Sequence, residues 1–293
     1  MMQFYALNNK GQAISAKQAQ KHCNYLCIEC GTRVRLRGGM HRQRHFYHLE
    51  AVRSCSLRQK GMVHLQLQDY LFNLLPENDS VLEKRFPSIN RIADVAWFSQ
   101  KIVFEIQCSP ISALEISQRN QDYLREGWRV VWILHDQRYN QKHLTPAEIT
   151  LQGHPHYFSN MNAQGEGMIY DQFEIVDKGM RQKRLGCLKI DLAQPKWIRM
   201  SEEITCTSWS APTAVSRLNL CRRRLLDWPI HFSGDLIDLQ DSAYLQAAVR
   251  LENEFCRLTN RREVKQWMKW GLQRLIIHPY RVIFRYFLEK ACR

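Results

Sequence analysis

Two carboxylates, Asp94 and Glu105, lie in neighbouring strand-forming runs separated by a short polar turn. The runs cover residues 92–98 and 101–107, and with Ser99-Gln100 between them they predict a β-hairpin. A turn symmetric about Ser99-Gln100 sets Asp94 directly opposite Glu105, with Cβ atoms about 5 Å apart. Like charges held this close repel each other unless a cation lies between them. The pattern therefore predicts a site for a hard divalent ion such as Mg²⁺, which prefers carboxylate oxygens.

The two faces of this hairpin differ in character. Gln107 shares the polar edge with Asp94 and Glu105, because side chains two residues apart on a strand point to the same face. The alternative to a metal site is a solvated acidic face, since the turn lacks the glycine favoured in two-residue hairpins and a bulge would change the register. The opposite face is apolar and comprises Ala93, Val95, Trp97, Ile102, Phe104 and Ile106.

The elements around the hairpin follow from hydrophobic periodicity. Leucines recur at mostly helical spacing between Gly61 and Pro76, which predicts a helix that carries His64. A strand is expected at 81–86, a helix from 111 to 126, and a buried, parallel strand at 129–134, where the run is continuously apolar. The order helix, three strands, helix, strand predicts an α/β core over residues 61–136. Residues 160–215 suggest short strands and loops, and residues 240–292 are rich in helical patterns.

The charge of the chain is strongly positive and unevenly distributed. The net charge of +14 arises mainly from residues 1–60, with eleven Lys and Arg against two acidic residues, and from residues 217–293, with fifteen against eight. Residues 61–160 carry nine basic and eleven acidic residues. Basic segments that flank an acidic centre suit a polyanion such as DNA, single- or double-stranded. The alternative is a charge that serves solubility alone.

The first sixty residues also contain a candidate zinc site. Cys27 and Cys30 have the spacing of a zinc knuckle, and His48 and Cys55 are the expected third and fourth ligands, with His45 in reserve. Zinc would stabilise a module that is basic and poor in aliphatic residues. The alternative is a turn bearing two free thiols.

The last third of the chain combines arginines with tryptophans. Cationic side chains beside aromatic faces can bind single strands through phosphate contacts and base stacking. The alternative, a helical domain with core tryptophans and a solvated arginine face, accounts for the pattern at least as well. The candidate nucleic-acid-binding residues are Arg222, Arg223, Arg224, Arg261 and Arg262.

No run of about 18 apolar residues is present, and the first ten residues are too polar for a signal peptide. We therefore expect a cytoplasmic protein without a membrane partner.

Several of these motifs together resemble a known family. An Asp on the second strand and Glu-x-Gln on the third look like the PD-(D/E)XK nuclease fold, and the chain is more specifically similar to the competence protein CoiA-like family. The run Phe104–Ser112 is the most specific part. The residues that carry the resemblance are Cys27, Cys30, His45, His48, Cys55, His64, Asp94, Phe104–Ser112, Arg119, Tyr123 and 127–134.

The resemblance implies a restriction-endonuclease-like core and a metal-dependent nuclease that acts in recombination of DNA taken up during transformation. Asp94 and Glu105 would bind Mg²⁺ or Mn²⁺, and Gln107 would orient the attacking water. Arg119 would contact a phosphate, and His64 would be a base, a substrate contact or a structural histidine.

Two positions depart from the superfamily pattern. Gln107 stands where the fold usually has a lysine, although CoiA-like members share this Gln, and an amide supplies no charge. Gly61-Met62-Val63 lacks the acidic residue that members often carry on the first helix.

We therefore expect a basic zinc-finger-like module at 1–60, a nuclease-like domain at 61–150 and a mostly helical C-terminal domain at 151–293. The expected activity is a Mg²⁺- or Mn²⁺-dependent deoxyribonuclease. The other possibilities are a non-catalytic DNA-binding recombination mediator and a zinc-dependent adaptor that recruits recombination proteins.

Overall fold

The computed structural model describes residues 3–39, 42–50, 55, 60–197, 228–236 and 243–272. The chain divides into two units, residues 1–212 with 217–239 and residues 213–216 with 240–293.

The first unit begins with a small antiparallel sheet. Its inner face buries Tyr25, Val34 and Phe46, because alternate residues of each strand point inward. Gln3 pairs with Phe46 on the last strand, which brings that strand back towards the first. Within the described residues the sheet order is β2-β1-β3-β4-β5. The strands are β1 (Tyr5–Leu7), β2 (Ala13–Ser15), β3 (Asn24–Leu26), β4 (Arg33–Gly39) and β5 (Arg42–His48).

The predicted α/β core follows and forms a mixed sheet with helices on both faces. Its helices are α1 (Met62–Leu74), α2 (Ala113–Arg125) and α3 (Pro146–Leu151). Its first strands are β6 (Ser80–Phe86), β7 (Arg91–Trp97), β8 (Ile102–Gln107) and β9 (Arg129–His135). The same sheet also contains β10 (His156–Ser159), β11 (Ile169–Asp171) and β14 (Leu188–Lys189). Two separate two-stranded sheets are formed by β12 (Glu174–Asp177) with β13 (Met180–Arg184) and by β15 (Asp191–Trp197) with β16 (Ile230–Ser233).

In the described part of the chain, seven strands share one sheet in the order β14-β11-β10-β9-β8-β7-β6. β9 lies parallel to both β8 and β10, while the other pairs are antiparallel. This confirms the predicted parallel strand at 129–134, whose continuous apolar run is buried on both sides of the sheet.

The hairpin formed by β7 and β8 has the predicted register. Val95 pairs with Phe104 and Trp97 pairs with Ile102, so that the next position along each strand sets Asp94 opposite Glu105. The loop between the strands is four residues long, and Lys101 adopts a left-handed φ of 52°. This residue closes the turn without the glycine of a shorter hairpin.

Two apolar cores hold the hairpin in place. On the α1 side of the sheet, Leu67 and Leu71 pack with five of the six residues predicted for the apolar face of the hairpin. The sixth, Ala93, is not part of this core. On the other side, Ile116 and Tyr123 of α2 belong to a second core that includes Ala93. The N-terminus of α1 and one face of α2 therefore meet at the polar edge of β7 and β8.

The second unit contains α4 (Ala243–Leu272), a 30-residue helix within the region 240–292 that the sequence predicts to be rich in helix. Arg261 and Arg262 are exposed on it, whereas Arg222, Arg223 and Arg224 lie outside the described residues. In the first unit Trp228 is buried in the α1-side core, whereas Trp270 on α4 is 53% exposed. None of the described helices combines the length and the apolar character needed to cross a membrane.

Candidate functional site: an acidic cleft beside a cysteine–histidine cluster

The polar edge of the hairpin opens into a cleft with a volume of about 570 Å³. Its floor is formed by β7 and β8, and its walls are formed by the start of α1 and by the segment from Ser109 into α2. The structure brings all five residues that the sequence singled out for catalysis to this cleft: His64, Asp94, Glu105, Gln107 and Arg119.

Asp94 is the most heavily bonded carboxylate of the cleft. Its Oδ1 lies 2.5 Å from Nζ of Lys60 and 3.1 Å from Nε2 of His64, while Oδ2 accepts a 2.8 Å bond from the backbone N–H of Ile106. Burial raises the pKa of Asp94, but the neighbouring Lys60 and His64 outweigh it and hold that pKa well below its ordinary value. Asp94 is therefore ionised across the physiological range.

His64 reaches this carboxylate because α1 begins beside the hairpin. Its imidazole is buried, and its Nε2 lies 3.1 Å from Oδ1 of Asp94. The contact positions Asp94 from the helix side.

Glu83 and Lys60 are cleft residues that no sequence motif marks. By the register of β6 and β7, Glu83 lies opposite Asp94, and it adopts a left-handed φ of 52° that is uncommon for a glutamate. Its Oε1 accepts 2.5 Å bonds from Lys60 Nζ and Gln68 Nε2. Burial would lower the pKa of Lys60, but Asp94 and Glu83 raise it above its ordinary value, so the ammonium stays charged.

The predicted strand at 81–86 already contained Glu83, but only its pairing with β7 brings it to Asp94. Lys60 precedes the first helix without any motif of its own. Glu83 therefore supplies an acidic residue near His64 that the start of the first helix lacks.

Glu105 is bonded by two residues of α2. Arg119 Nη1 donates to Oε2 at 2.6 Å, and the Tyr123 hydroxyl donates to Oε1 at 2.7 Å. Burial raises the pKa of Glu105 to about 7; the charge of Asp94 adds to this shift, whereas Arg119 and Tyr123 oppose it. Glu105 thus changes its protonation state near neutral pH, unlike Asp94.

Arg119 also links this carboxylate to the rest of α2. Its Nε donates a 2.8 Å bond to Glu115, which Arg91 contacts at 2.7 Å. The bonds to Glu105 and Glu115 use two of the five N–H donors of the Arg119 guanidinium, which leaves others for an anionic ligand.

Gln107 and the two serines of the cleft, Ser109 and Ser112, make hydrogen bonds at the start of α2. Gln107 Nε2 donates to the Ser109 backbone carbonyl at 2.6 Å and to its hydroxyl at 3.1 Å. The Ser112 hydroxyl accepts from the Glu115 N–H and caps α2, which begins at Ala113, two residues later than predicted. α2 ends at Arg125 near Gly127, whose φ is 78°.

The second cluster lies in the N-terminal sheet. The ligand atoms of Cys27, Cys30, His48 and Cys55 all lie within 4.8 Å of one another. His45, the reserve ligand, pairs with Arg37, whereas His48 pairs with Val34. The two histidines are three residues apart on β5 and so point to opposite faces, which leaves His45 outside the cluster.

Two distances within this cluster are close to those of a tetrahedral metal site. Two thiolates bound to zinc at about 2.3 Å lie about 3.8 Å apart, and the sulfurs of Cys27 and Cys55 are 3.9 Å apart. His48 Nε2 lies 3.3 Å from the Cys30 sulfur. Burial lowers the pKa of His48, so that the ring is neutral and can donate a lone pair. The cluster could therefore hold a metal ion such as zinc.

The outer face of the same sheet carries a row of arginines. Arg33, Arg35 and Arg37 alternate along β4 with the buried Val34 and Leu36, and all three are exposed. Arg35 bonds Asn24 on β3, and Arg33 makes a loose, exposed contact of 3.9 Å with Glu50. We call Arg33, Arg35 and Arg37 the arginine row.

Comparison with known families matches both parts of the first unit. Residues 8–58 match the model described as competence protein CoiA, N-terminal domain, and residues 60–173 match competence protein CoiA, nuclease-like domain. The first match contains the cysteine–histidine cluster and the arginine row, and the second contains every residue named above for the cleft. No curated protein and no solved structure is significantly similar to the chain.

Proposed function

Because this chain belongs to the competence protein CoiA family, we propose that it is a metal-dependent deoxyribonuclease that processes DNA during competence. The observation that carries the proposal is the placement of Asp94 and Glu105 opposite each other in a cleft that also contains Glu83 and Arg119. The order helix, three antiparallel strands, helix and parallel strand supports a restriction-endonuclease-like, PD-(D/E)XK core.

The oxygen atoms of Asp94 and Glu105 are suitable ligands for Mg²⁺ or Mn²⁺. An ionised carboxylate offers about four lone-pair positions. At Glu105, Arg119 and Tyr123 use two of them, so the others can face an ion shared with Asp94. When bound, the ion would polarise the scissile phosphate and lower the pKa of a water molecule.

The chain's own residues would then divide the remaining work. Arg119, with donors to spare, would bind a phosphate oxygen and stabilise the charge that develops on it. Gln107 would orient the attacking water through its amide. His64 would fix the position of Asp94 through their 3.1 Å bond.

For the cysteine–histidine cluster we propose Zn²⁺ as the ion, with a structural role. Four protein ligands close the site, as in other structural zinc sites. For DNA we propose the arginine row as a backbone contact of the first unit. Arg261 and Arg262 on α4 are a separate proposed contact of the second unit, and the arginines 222–224 are further candidates.

A DNA-binding mediator without turnover is the second candidate function. The observation that favours it is that Lys60 and Arg119 already neutralise Asp94 and Glu105, while the neutral Gln107 supplies no further charge.

Cleavage assays on single- and double-stranded DNA with Mg²⁺ or Mn²⁺ separate the two functions. We expect Asp94→Asn and Glu105→Gln each to reduce cleavage by about 100-fold or more, since each removes a metal ligand, with DNA binding nearly unchanged. Glu77→Gln, a matched change at an exposed carboxylate outside the cleft, should cleave normally. If the unmutated chain binds DNA but cleaves no form of it, the mediator replaces the enzyme.

A further inference from the structure

Lys60 lies between two carboxylates of the cleft, Glu83 and Asp94. Its ammonium lies 2.5 Å from Glu83 Oε1 and 2.5 Å from Asp94 Oδ1, and its side chain is only 12% exposed. It immediately precedes Gly61, the N-cap residue of α1, so the helix start directs it into the cleft. The ammonium of Lys60 is therefore held by its two carboxylate partners, unlike that of a solvated surface lysine.

Other cations of the cleft are held elsewhere. Arg91 is bonded to Glu115 and Asp122, and Arg119 is bonded to Glu105 and Glu115. Among the cleft residues that the structure describes, Lys60 is the permanent cation that contacts Asp94.

The hydrogen bonds of Asp94 make Lys60 a competitor for an ion that uses its Oδ1. Of about four lone-pair positions on the carboxylate, Lys60, His64 and the Ile106 N–H use three. The remaining position is on Oδ2, so a divalent ion that used Oδ1 would have to displace the ammonium. Two cations at that distance also repel each other.

We propose that Lys60 is the catalytic cation of this cleft, which holds the place of the divalent ion in its absence and moves onto the scissile phosphate when the ion enters. This inference rests on the proposed nuclease function. In this role Lys60, just before α1, would supply the positive charge that the neutral Gln107 cannot.

The chemical step leaves Lys60 protonated throughout. The water oxygen forms a bond to phosphorus, and the bond between phosphorus and the leaving sugar oxygen breaks. One water proton ends on the leaving oxygen and the other on the product phosphate, while the ammonium stabilises the charge on the non-bridging oxygens.

Manganese binding by the whole chain, measured by calorimetry without DNA, tests the competition directly. We expect Lys60→Gln to bind Mn²⁺ at least about tenfold more tightly, because a positive charge has left the site. Lys60→Arg keeps the charge and should bind Mn²⁺ like the unmutated chain. Lys84→Gln is the matched control: Lys84 follows Glu83 on β6, but its ammonium lies 4.9 Å from the ring centre of Phe86.

Cleavage tests the catalytic half of the inference. Lys60→Gln should lower the DNA cleavage rate by about 100-fold or more, and the double variant Lys60→Gln with Gln107→Lys should recover a measurable part, since it returns a cation to the cleft. The double variant also keeps the net charge of the cleft, so its cleavage rate can be measured if Lys60→Gln alone does not fold.

The outcomes are distinct. Unchanged Mn²⁺ affinity in Lys60→Gln overturns the competition, and unchanged cleavage overturns the catalytic role while leaving the nuclease function in place. If the unmutated chain cleaves no DNA, the proposed function and the catalytic role of Lys60 both fail. The Mn²⁺ titration then decides by itself whether Lys60 competes with a divalent ion for the carboxylates.

Discussion

Glu105 is a buried carboxyl group whose two oxygens face Tyr123 and Arg119 on α2. Burial raises its pKa to about 7, and the nearby Asp94 contributes in the same direction, whereas Arg119, Tyr123 and Lys60 lower it. A carboxyl group in an unfolded chain releases its proton near pH 4.3. Between these two values the folded chain holds a proton that the unfolded chain has released.

The stability of the chain without added divalent ions should therefore fall as pH rises from about 4.3 to about 7. The contribution of Glu105 is at most about 1.4 kcal/mol for each pH unit in this window. Glu105→Gln cannot ionise, so it should flatten this slope and be more stable than the unmutated chain above pH 7. Urea unfolding at several pH values measures both effects.

The matched variant Glu77→Gln, exposed and outside the cleft, should keep the slope. An unchanged slope in Glu105→Gln would show that Glu105 titrates with an ordinary pKa.

The cysteine–histidine cluster links the connection between β3 and β4 to the end of β5, in a small sheet whose own apolar core is limited. Cys27 and Cys30 lie between β3 and β4, and His48 ends β5. The apolar core of the sheet consists of small side chains and a few larger ones, including Ala6, Ala16 and Phe46. Sheets of this size usually need a further constraint such as a structural metal.

Metal analysis of the purified chain should find about one zinc ion per molecule. The double variant Cys27→Ser and Cys30→Ser should lose the zinc and make the segment 1–60 sensitive to proteolysis, because metal binding contributes directly to folding. Cys23→Ser is the control, since Cys23 is exposed and outside the cluster. Background zinc in the unmutated chain would exclude the site.

Across the whole molecule, the chain separates its charges by region. Residues 1–60 have an excess of nine positive charges, whereas residues 61–160, which contain the cleft, have an excess of two negative charges. Alternation on β4 then concentrates Arg33, Arg35 and Arg37 on one exposed face, about 6.6 Å apart along the strand. This distribution suits the proposed contact of the arginine row with a nucleic acid backbone, outside the acidic cleft.

DNA affinity should fall steeply with salt, because each phosphate neutralised by the protein releases counterions. Replacing Arg33, Arg35 and Arg37 with Gln should weaken binding and reduce the slope of log affinity against log salt by about 0.9 for each phosphate that is no longer neutralised. The control replaces Lys10, Lys17 and Lys21, three exposed lysines of the same module, and removes the same charge. Equal effects of the two triple variants would show that net charge matters and the arginine row does not.

Much of the local structure of the cleft could be predicted from the sequence. The register of β7 and β8 follows from the alternation of apolar residues and the symmetry of a short loop, and both are local properties. The burial of β9 follows from its continuous apolar run. The four residues of the cysteine–histidine cluster could be selected because metal ligation restricts both residue type and spacing.

The amino-acid sequence is enough to set Asp94 opposite Glu105, because both residues belong to a single hairpin whose short loop fixes the pairing. The groups that surround this pair depend on tertiary packing: Glu83 on the next strand, Lys60 at the start of α1, and Arg119 with Tyr123 on α2. Likewise, β10, β11 and β14 join the main sheet although their patterns are short and weak. These contacts depend on how helices pack on a twisted sheet, and side-chain packing over such separations has no local periodicity that a sequence could reveal.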